Sequence, residues 1–266
     1  MTSMPTAMPR ILADSPLDSI RFGIKVMRGH VPANTPDKDV IDEIMHSDAC
    51  LIILRTVAGD SSAVIQLQRQ GWPVIHADTL VYYGIDLTTL PHEPLPADVR
   101  LATASDRGAI HEIAERCFTD YRSHYSTNPS LPRDRIVAGY VEWAKSRLTP
   151  ENPDNCTWVV TAESRVAGFA TCDLASDKSR VEIVLNAVHP GLSHQGLYGR
   201  LLKGILHHYA ARSCRQLVAS TQLWNYTVQR QWTRAGLTLQ RACDTWHIDR
   251  RLRLPAEAPA SGTPQR

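Results

Sequence analysis

The stretch VEIVLNAVHPGLSHQGLYGRLLKG, Val181 to Gly204, constrains this chain more than any other part of it. Its first half reads as a buried strand. Apolar residues at 197, 198, 201, 202, 205, 206 and 209 then repeat with helical spacing. Pro190, Gly191 and Gly196 mark the turn between them. A strand that passes straight into a helix exposes the first N–H groups of that helix, at the positive end of its dipole. A phosphate fits such a turn, and Gly196 and Gly199 let a ligand approach the bare backbone. The turn has neither the Lys of GxxxxGKS nor the spacing of GxGxxG, so neither a nucleoside-triphosphate loop nor a dinucleotide fingerprint is supported.

The elements around this unit follow a clear order. DVRLATA is a short strand, and Ser105 is placed to cap a helix with Ile110, Ile113, Ala114, Cys117 and Phe118 on one face. A second helix over about 133–147 turns Ile136, Val137, Tyr140, Val141 and Ala144 one way. CTWVVTA and VAGFATCDLA form a hairpin, RVEIVLNAV is a third strand, and RQLVAST a fourth. Asn225 caps a helix with Val228, Trp232 and Ala235 inward, Gly236 stops it, and LTLQRACDTWHI closes the series. The order β-α-α-β-β-β-α-β-α-β implies an α/β chain with a mixed sheet and helices on its faces.

LPHEPLPADVR, with its prolines, reads as a linker over 91–98. It separates a domain over 99–252 from a smaller N-terminal βαβ subdomain over 17–90. Residues 1–16 and 253–266 are rich in small residues and Pro and are expected to be disordered. Residues 51–85 repeat the layout of 216–250: Asp60 and Gly71 are spaced as Asn225 and Gly236 are, and Arg69 and Arg234 each precede their Gly by two. The N-terminal part reads as a copy of the later unit without the strand-to-helix turn of 181–204. Common ancestry and two ordinary βαβ pieces both account for this echo.

Lys plus Arg is 29 against 27 Asp plus Glu, a net charge of +2 that gives no footprint for nucleic acid or an anionic membrane. The six Cys form no CxxC and fit no zinc spacing, which points to a reduced, cytoplasmic protein without a metal. The opening MTSMPTAMPR lacks the apolar core of a signal peptide, and no apolar run is long enough to span a bilayer.

VHPGLSHQGLYGRLL resembles motif A of the GCN5-related N-acetyltransferases (GNAT), V-x-P-x-x-[QR]-x-x-G-x-[GA]. Val188, Pro190 and Gly196 match. Ser193 falls on the Gln/Arg place and Tyr198 on the last small-residue place. The element order is also that of the superfamily. SPLDSIRFGIKV, LRTVAGDSSAVIQLQRQGW, RSHYSTNPSLP and VASTQLWN together are similar to the dTDP-fucosamine acetyltransferase group, which acetylates a nucleotide-linked amino sugar.

The resemblance implies a GNAT fold that takes acetyl-CoA as co-substrate. Ala187, Val188, Ser193, His194, Gln195, Gly196, Leu197, Tyr198, Gly199 and Asn225 would hold it, and the backbone N–H groups near Ala187 and Val188 would polarise the thioester. Glu182 begins a strand like that of the superfamily's histone acetyltransferases, whose Glu is the general base. The other reading of Glu182 is a solvent-facing residue at a strand start. Arg122, His124 and Tyr125 fall where relatives bind the acceptor, although a loop Arg is also commonly solvated. Seven residues after Asn225, where the family places a proton-donating Tyr, stands Trp232. It is expected to be core, Tyr226 and Tyr198 do not match the place, and water is left as the donor. The expected acceptor is a small-molecule amine, with no nucleic acid or membrane partner and homodimerisation left open. Alternatives are another amine, another acyl-CoA, or a catalytically weak module that binds acyl-CoA.

Overall fold

The computed structural model describes residues 10–91, 93–148, 154–193 and 195–252. Disorder expected at residues 1–9 and 253–266 lies outside the described residues. The elements run β1 (Leu12–Asp14), α1 (Pro16–Phe22), β2 (Val26–His30), α2 (Asp37–His46), β3 (Leu51–Val57), α3 (Ser62–Arg69), β4 (Val74–Asp86), β5 (Val99–Leu101) and α4 (Arg107–Phe118). They continue α5 (His124–Thr127), α6 (Arg133–Lys145), β6 (Asn155–Ala162), β7 (Arg165–Leu174), β8 (Arg180–Val188), α7 (Leu197–Ala211), β9 (Gln216–Gln222), α8 (Tyr226–Arg234) and β10 (Thr238–Asp249). This is the mixed α/β class that the sequence implies. No helix among the described residues is long and apolar enough to cross a membrane.

The chain forms two compact units, and they do not divide at 91–98. The first comprises the described residues up to Asp78, Thr127–Ser130 and those from Cys243 on; the second comprises Thr79–Ser126 and Leu131–Ala242. Strand pairing is the cause. The later part of β10 pairs antiparallel with β3, from Cys243↔Val57 to Asp249↔Leu51. The later part of β4 pairs antiparallel with β9, from Leu80↔Gln222 to Asp86↔Gln216. Local composition marks a loop but carries no information about a strand's distant partner.

In the first unit β2 and β3 are parallel and joined through α2, while β1 lies antiparallel to β2. Two expectations change here. The N-terminal copy, read as lacking a counterpart of the strand-to-helix unit of 181–204, has a strand and helix in that place, β2 and α2, ahead of β3. Residues 12–14 are ordered as β1, because the Glu43 carboxylate accepts from the amides of Ile11 at 3.0 Å and Leu12 at 2.8 Å. Ile44, Val64 and Leu67 from α2 and α3 pack on Ile52, Leu54 and Ile248 as this unit's core.

The second unit orders its strands β4, β9, β8, β7, β6, β5. β8–β9 is parallel; the other pairs are antiparallel. The β6–β7 hairpin turns on Glu163 (φ 49°) and Ser164 (φ 62°), the two positive-φ residues that match strand twist. α7 and α8 bury Leu201, Leu202, Ile205 and Trp232 against Val181 and Ile183. α4 and α6 pack on each other and reach β7 and β8. The cap of the α4 region is Thr103, not Ser105: Thr103 and Asp106 form a capping box, and Arg100 grips Asp106 at 2.7 and 2.9 Å. That guanidinium draws the Asp106 carboxyl down to about 2. His207 of α7 is buried, with Nδ1 2.9 Å from the Pro91 carbonyl.

Candidate active site

β8 and β9 stay together only from Arg180↔Gln216 to Ile183↔Ala219. The separation starts at a bulge. Cys172 of β7 opposes Ile183, the next residue Thr171 opposes Leu185, and Val184 is left over. An extra residue of this kind bends its strand and increases the local twist. Beyond it β8 keeps β7 on one edge, and among the described residues no strand pairs with its other edge. β9 meanwhile follows β4 to Gln222. The two strands therefore open into a wedge walled by backbone.

The direction of each amide follows from alternation along an antiparallel pair. His189 N–H donates to the Ala167 carbonyl at 2.8 Å. Two residues back, the Ala187 amide turns toward β7 as well, whereas those of Val188 and Asn186 turn toward the wedge. Of the two amides expected to polarise a thioester, the one at Val188 has the right direction. Its carbonyl, on the same edge, accepts from the Cys117 thiol at 3.3 Å.

The turn after Val188 is braced by its own groups. Ser193 Oγ donates to the Pro190 carbonyl at 2.7 Å, and the Gly191 amide donates to His189 Nδ1 at 3.1 Å. Arg200 donates from Nη1 to the Gln195 carbonyl at 3.0 Å and from Nε to Asp98 at 2.6 Å. His194 lies outside the described residues. Gly196 takes the N-cap position of α7 with φ +71°, a conformation costly for any residue with a Cβ. No side chain caps this helix, and its first turn holds no acidic residue. A Cβ at Gly199 would come no closer than 4.0 Å to its nearest neighbour, so the approach to the helix start is open. Uncapped amides, positive dipole end and missing carboxylates fit a diphosphate. Leu197 points into the core.

Two side chains expected to meet the co-substrate have partners within the protein. Tyr198 turns inward, where its hydroxyl accepts from Trp232 Nε1 at 2.7 Å. Trp232 is fully buried, as its spacing implies. Asn225 stands at the N-cap of α8 without capping it; Nδ2 donates to Thr221 Oγ1 at 3.0 Å.

Glu182 pairs with Asp173 across β7–β8 and lies on the face opposite Val181 and Ile183. Its carboxylate is 30% exposed and 3.4 Å from Arg180 Nη2. It is therefore a partly open carboxylate beside a cation, not a group sealed in an apolar strand. Of the expected acceptor residues, Arg122 lies with its guanidinium 5.6 Å from the centre of the Trp224 ring. His124 and Tyr125 are buried, with ring centres 3.9 Å apart, and do not offer their rings to solvent. α5 is a single turn, and a turn that short gives no periodicity from which to read its inner face.

Sequence reasoning missed the aromatic group on this side of the molecule. Phe118 and Tyr140 stack at 4.6 Å, Tyr121 meets Phe118 edge-on at 5.4 Å, and Trp224 lies 5.5 Å from Tyr121. Tyr121 donates to the Gln222 side chain at the open end of β9, and Trp224 Nε1 donates to the Arg122 carbonyl at 3.0 Å. The signal available was Trp224, placed between the end of a strand and the start of a helix.

Residues 108–237 match the model of the acetyltransferase (GNAT) family. The spore coat polysaccharide biosynthesis protein SpsD of Bacillus subtilis (strain 168) is 27% identical over 143 residues, 54% of this chain and 47% of that protein. The chain thus spans about half the length of that curated relative. The structure is similar to a GCN5-related N-acetyltransferase from Kribbella flavida, with a TM-score of 0.56 and 13% identity over 84% of this chain and 81% of that one. One from Sphaerobacter thermophilus gives 0.54 and 16% over 85% and 73%.

Proposed function

The chain carries an acetyltransferase domain of the GNAT family over residues 108–237, and from that premise we propose that it transfers the acetyl group of acetyl-CoA to the primary amine of a nucleotide-linked amino sugar. The observation that carries this reading is the wedge between β8 and β9, which runs into the uncapped start of α7. The diphosphate of the co-substrate would rest on the amides of Leu197, Tyr198 and Gly199. Its thioester arm would lie along the free edge of β8, where the Val188 amide is positioned to stabilise negative charge on the carbonyl oxygen.

Glu182 lies on the opposite face of the sheet from α7, the side from which an amine would approach. It would take a proton from the incoming ammonium and leave the lone pair free to attack. The aromatic group of Tyr121, Tyr140 and Trp224 suits a sugar ring or base, since flat apolar faces with polar edges bind both. The distant likeness to a spore coat polysaccharide protein supports an acceptor from sugar metabolism.

Thiol release from acetyl-CoA, followed with amino-sugar nucleotides, free amino sugars and simple alkylamines, tests the proposal. The expected result is a kcat/KM at least about tenfold higher for an amino-sugar nucleotide, as fits a site built around the whole acceptor. Equal rates for all three classes would remove the sugar from the reading. Binding of acetyl-CoA without turnover of any amine would favour a module that only binds acyl-CoA, the reading to which Trp232 in place of a Tyr lends support.

A further inference from the structure

Position 232 in α8 holds an indole, whose N–H is no useful proton donor at neutral pH. Yet the atom at the tip of that indole is a phenol oxygen, Tyr198 Oη, at 2.7 Å. Tyr198 reaches it from the first turn of α7. Tyr198 packs against the core that includes Cys172. Cys172 is the register partner of Ile183, and Ile183 is the last residue of β8 to pair with β9. Tyr198 and Trp232 also pack in the same core as Ile183 and Ala219. The Tyr198–Trp232 contact therefore belongs to the core beneath the last paired residues of β8 and β9, on the α7 face.

We propose that Tyr198 protonates the departing thiolate, with Trp232 as the residue that positions it and stabilises its oxygen. The proposal rests on the acetyl-transfer reading above. In the step, the amine lone pair forms the C–N bond as the C–S bond breaks, and the electron pair of that bond goes to sulfur. Sulfur takes the proton of Tyr198, which becomes a phenolate, while Glu182, having passed the ammonium proton to solvent, takes the proton that the nitrogen sheds as the amide forms. Transfer of that proton through water from Glu182 to Tyr198 restores both groups.

The hydrogen bonding is arranged for this. The indole N–H occupies the acceptor side of the Tyr198 oxygen, and among the described residues no group accepts the phenol's own proton. As the phenolate forms, the same N–H becomes a hydrogen bond to a charged oxygen, which is stronger than one to a neutral oxygen. Burial holds the phenol above its usual pKa, so the proton is present at every working pH, while the indole N–H opposes that rise. The other groups nearby are less suited. Tyr83 donates its proton to Gln229 Oε1 at 3.3 Å, and Tyr226 is 61% exposed.

The test compares the parent with Tyr198→Phe and Trp232→Phe in kcat, KM and acetyl-CoA-dependent melting temperature, using one good acceptor. Tyr198→Phe should lose about 10²-fold or more in kcat, and Trp232→Phe about tenfold, both with KM for acetyl-CoA near parental. Replacement of Tyr198 by fluorotyrosines of decreasing pKa should shift kcat in one direction with phenol acidity, which a purely structural phenol would not do. Parental kcat in Tyr198→Phe, or no trend among the fluorotyrosines, would overturn this inference while leaving the acetyl-transfer reading intact. A parent protein that neither binds nor consumes acetyl-CoA would sink both.

Discussion

The two units each contain a parallel strand pair joined by a helix, β2–α2–β3 and β8–α7–β9, and the pairs differ where an anion would sit. β2 pairs with β3 along its whole length, from Val26↔Leu51 to His30↔Arg55. β8 leaves β9 after Ile183 and runs on to Val188. α2 starts from Pro36 with Asp37 and Asp39 in its first turn, and Asp37 is held by Ser62 at 2.6 Å and Gln66 at 2.8 Å. α7 starts from Gly196 with no acid. The first unit satisfies its helix dipole with its own carboxylates, whereas the second leaves that position open. The same local architecture is therefore a closed scaffold in one place and a binding wedge in the other, and a bulge and two helical turns account for the difference.

The largest effect should come from making α7 resemble α2. Gly196→Asp puts a carboxylate against the diphosphate and a Cβ at φ +71°. Acetyl-CoA affinity should fall by about 100-fold or more, seen as loss of the ligand-induced rise in melting temperature. The matched control, Asp37→Asn with Asp39→Asn in α2, should leave that rise unchanged. A Gly196→Asp protein still stabilised by acetyl-CoA would show that the two helix starts do not differ in the way described.

Glu182→Gln comes next. It should lower kcat by about 10²–10⁴-fold while acetyl-CoA still binds, and the deficit should shrink as pH rises and the acceptor amine loses its proton unaided. Equal turnover by the variant would leave proton removal to water.

The smallest effect concerns the closed unit. His247 on β10 is fully buried, with Nδ1 3.3 Å from Asn128 Nδ2. Burial first, then Arg28, push its pKa down to about 4 from 6.5, against the opposing pull of Asp249 and Asp18. Between those values the unfolded chain binds a proton that the folded chain refuses, so stability falls as pH drops from 6.5 to 4. The loss should reach at most about 3 kcal/mol, and His247→Gln should flatten that part of the melting-temperature profile. An unaltered slope in the variant would assign the acid sensitivity to other groups.

What the sequence made legible, and what it hid, follows from range. The α7 stripe, the inward Trp232 and the stop at Gly236 are written in local periodicity and turn chemistry, and each stands where expected. Thr103 rather than Ser105 caps the α4 region because Asp106, three residues on, completes a reciprocal bond that single-residue preference does not register. The pairing of β10 with β3 spans most of the chain, so the proline-rich 91–98 segment stood out as a boundary instead. The contact of Tyr198 with Trp232 joins two helices, and nothing near either residue announces it. The wedge between β8 and β9 was legible only as a turn; its opening depends on Val184, an ordinary strand residue whose extra place in the register shows only when β7 is laid beside it.

The crossing of β4 and β10 between units has a consequence for the order in which the protein can be made. The core of residues 10–78 is completed by Ile248 and its sheet edge by Cys243–Asp249, which follow the whole second unit in the chain. The N-terminal unit therefore waits for a strand made after the second unit, while the second has its β4 strand in hand early. Contacts of such long sequence separation slow folding and leave an apolar edge of β3 exposed in the interval. Nascent chains stalled before β10 should thus be the species on which holding chaperones act, and folding of the binding wedge can precede folding of the scaffold that comes before it in the chain.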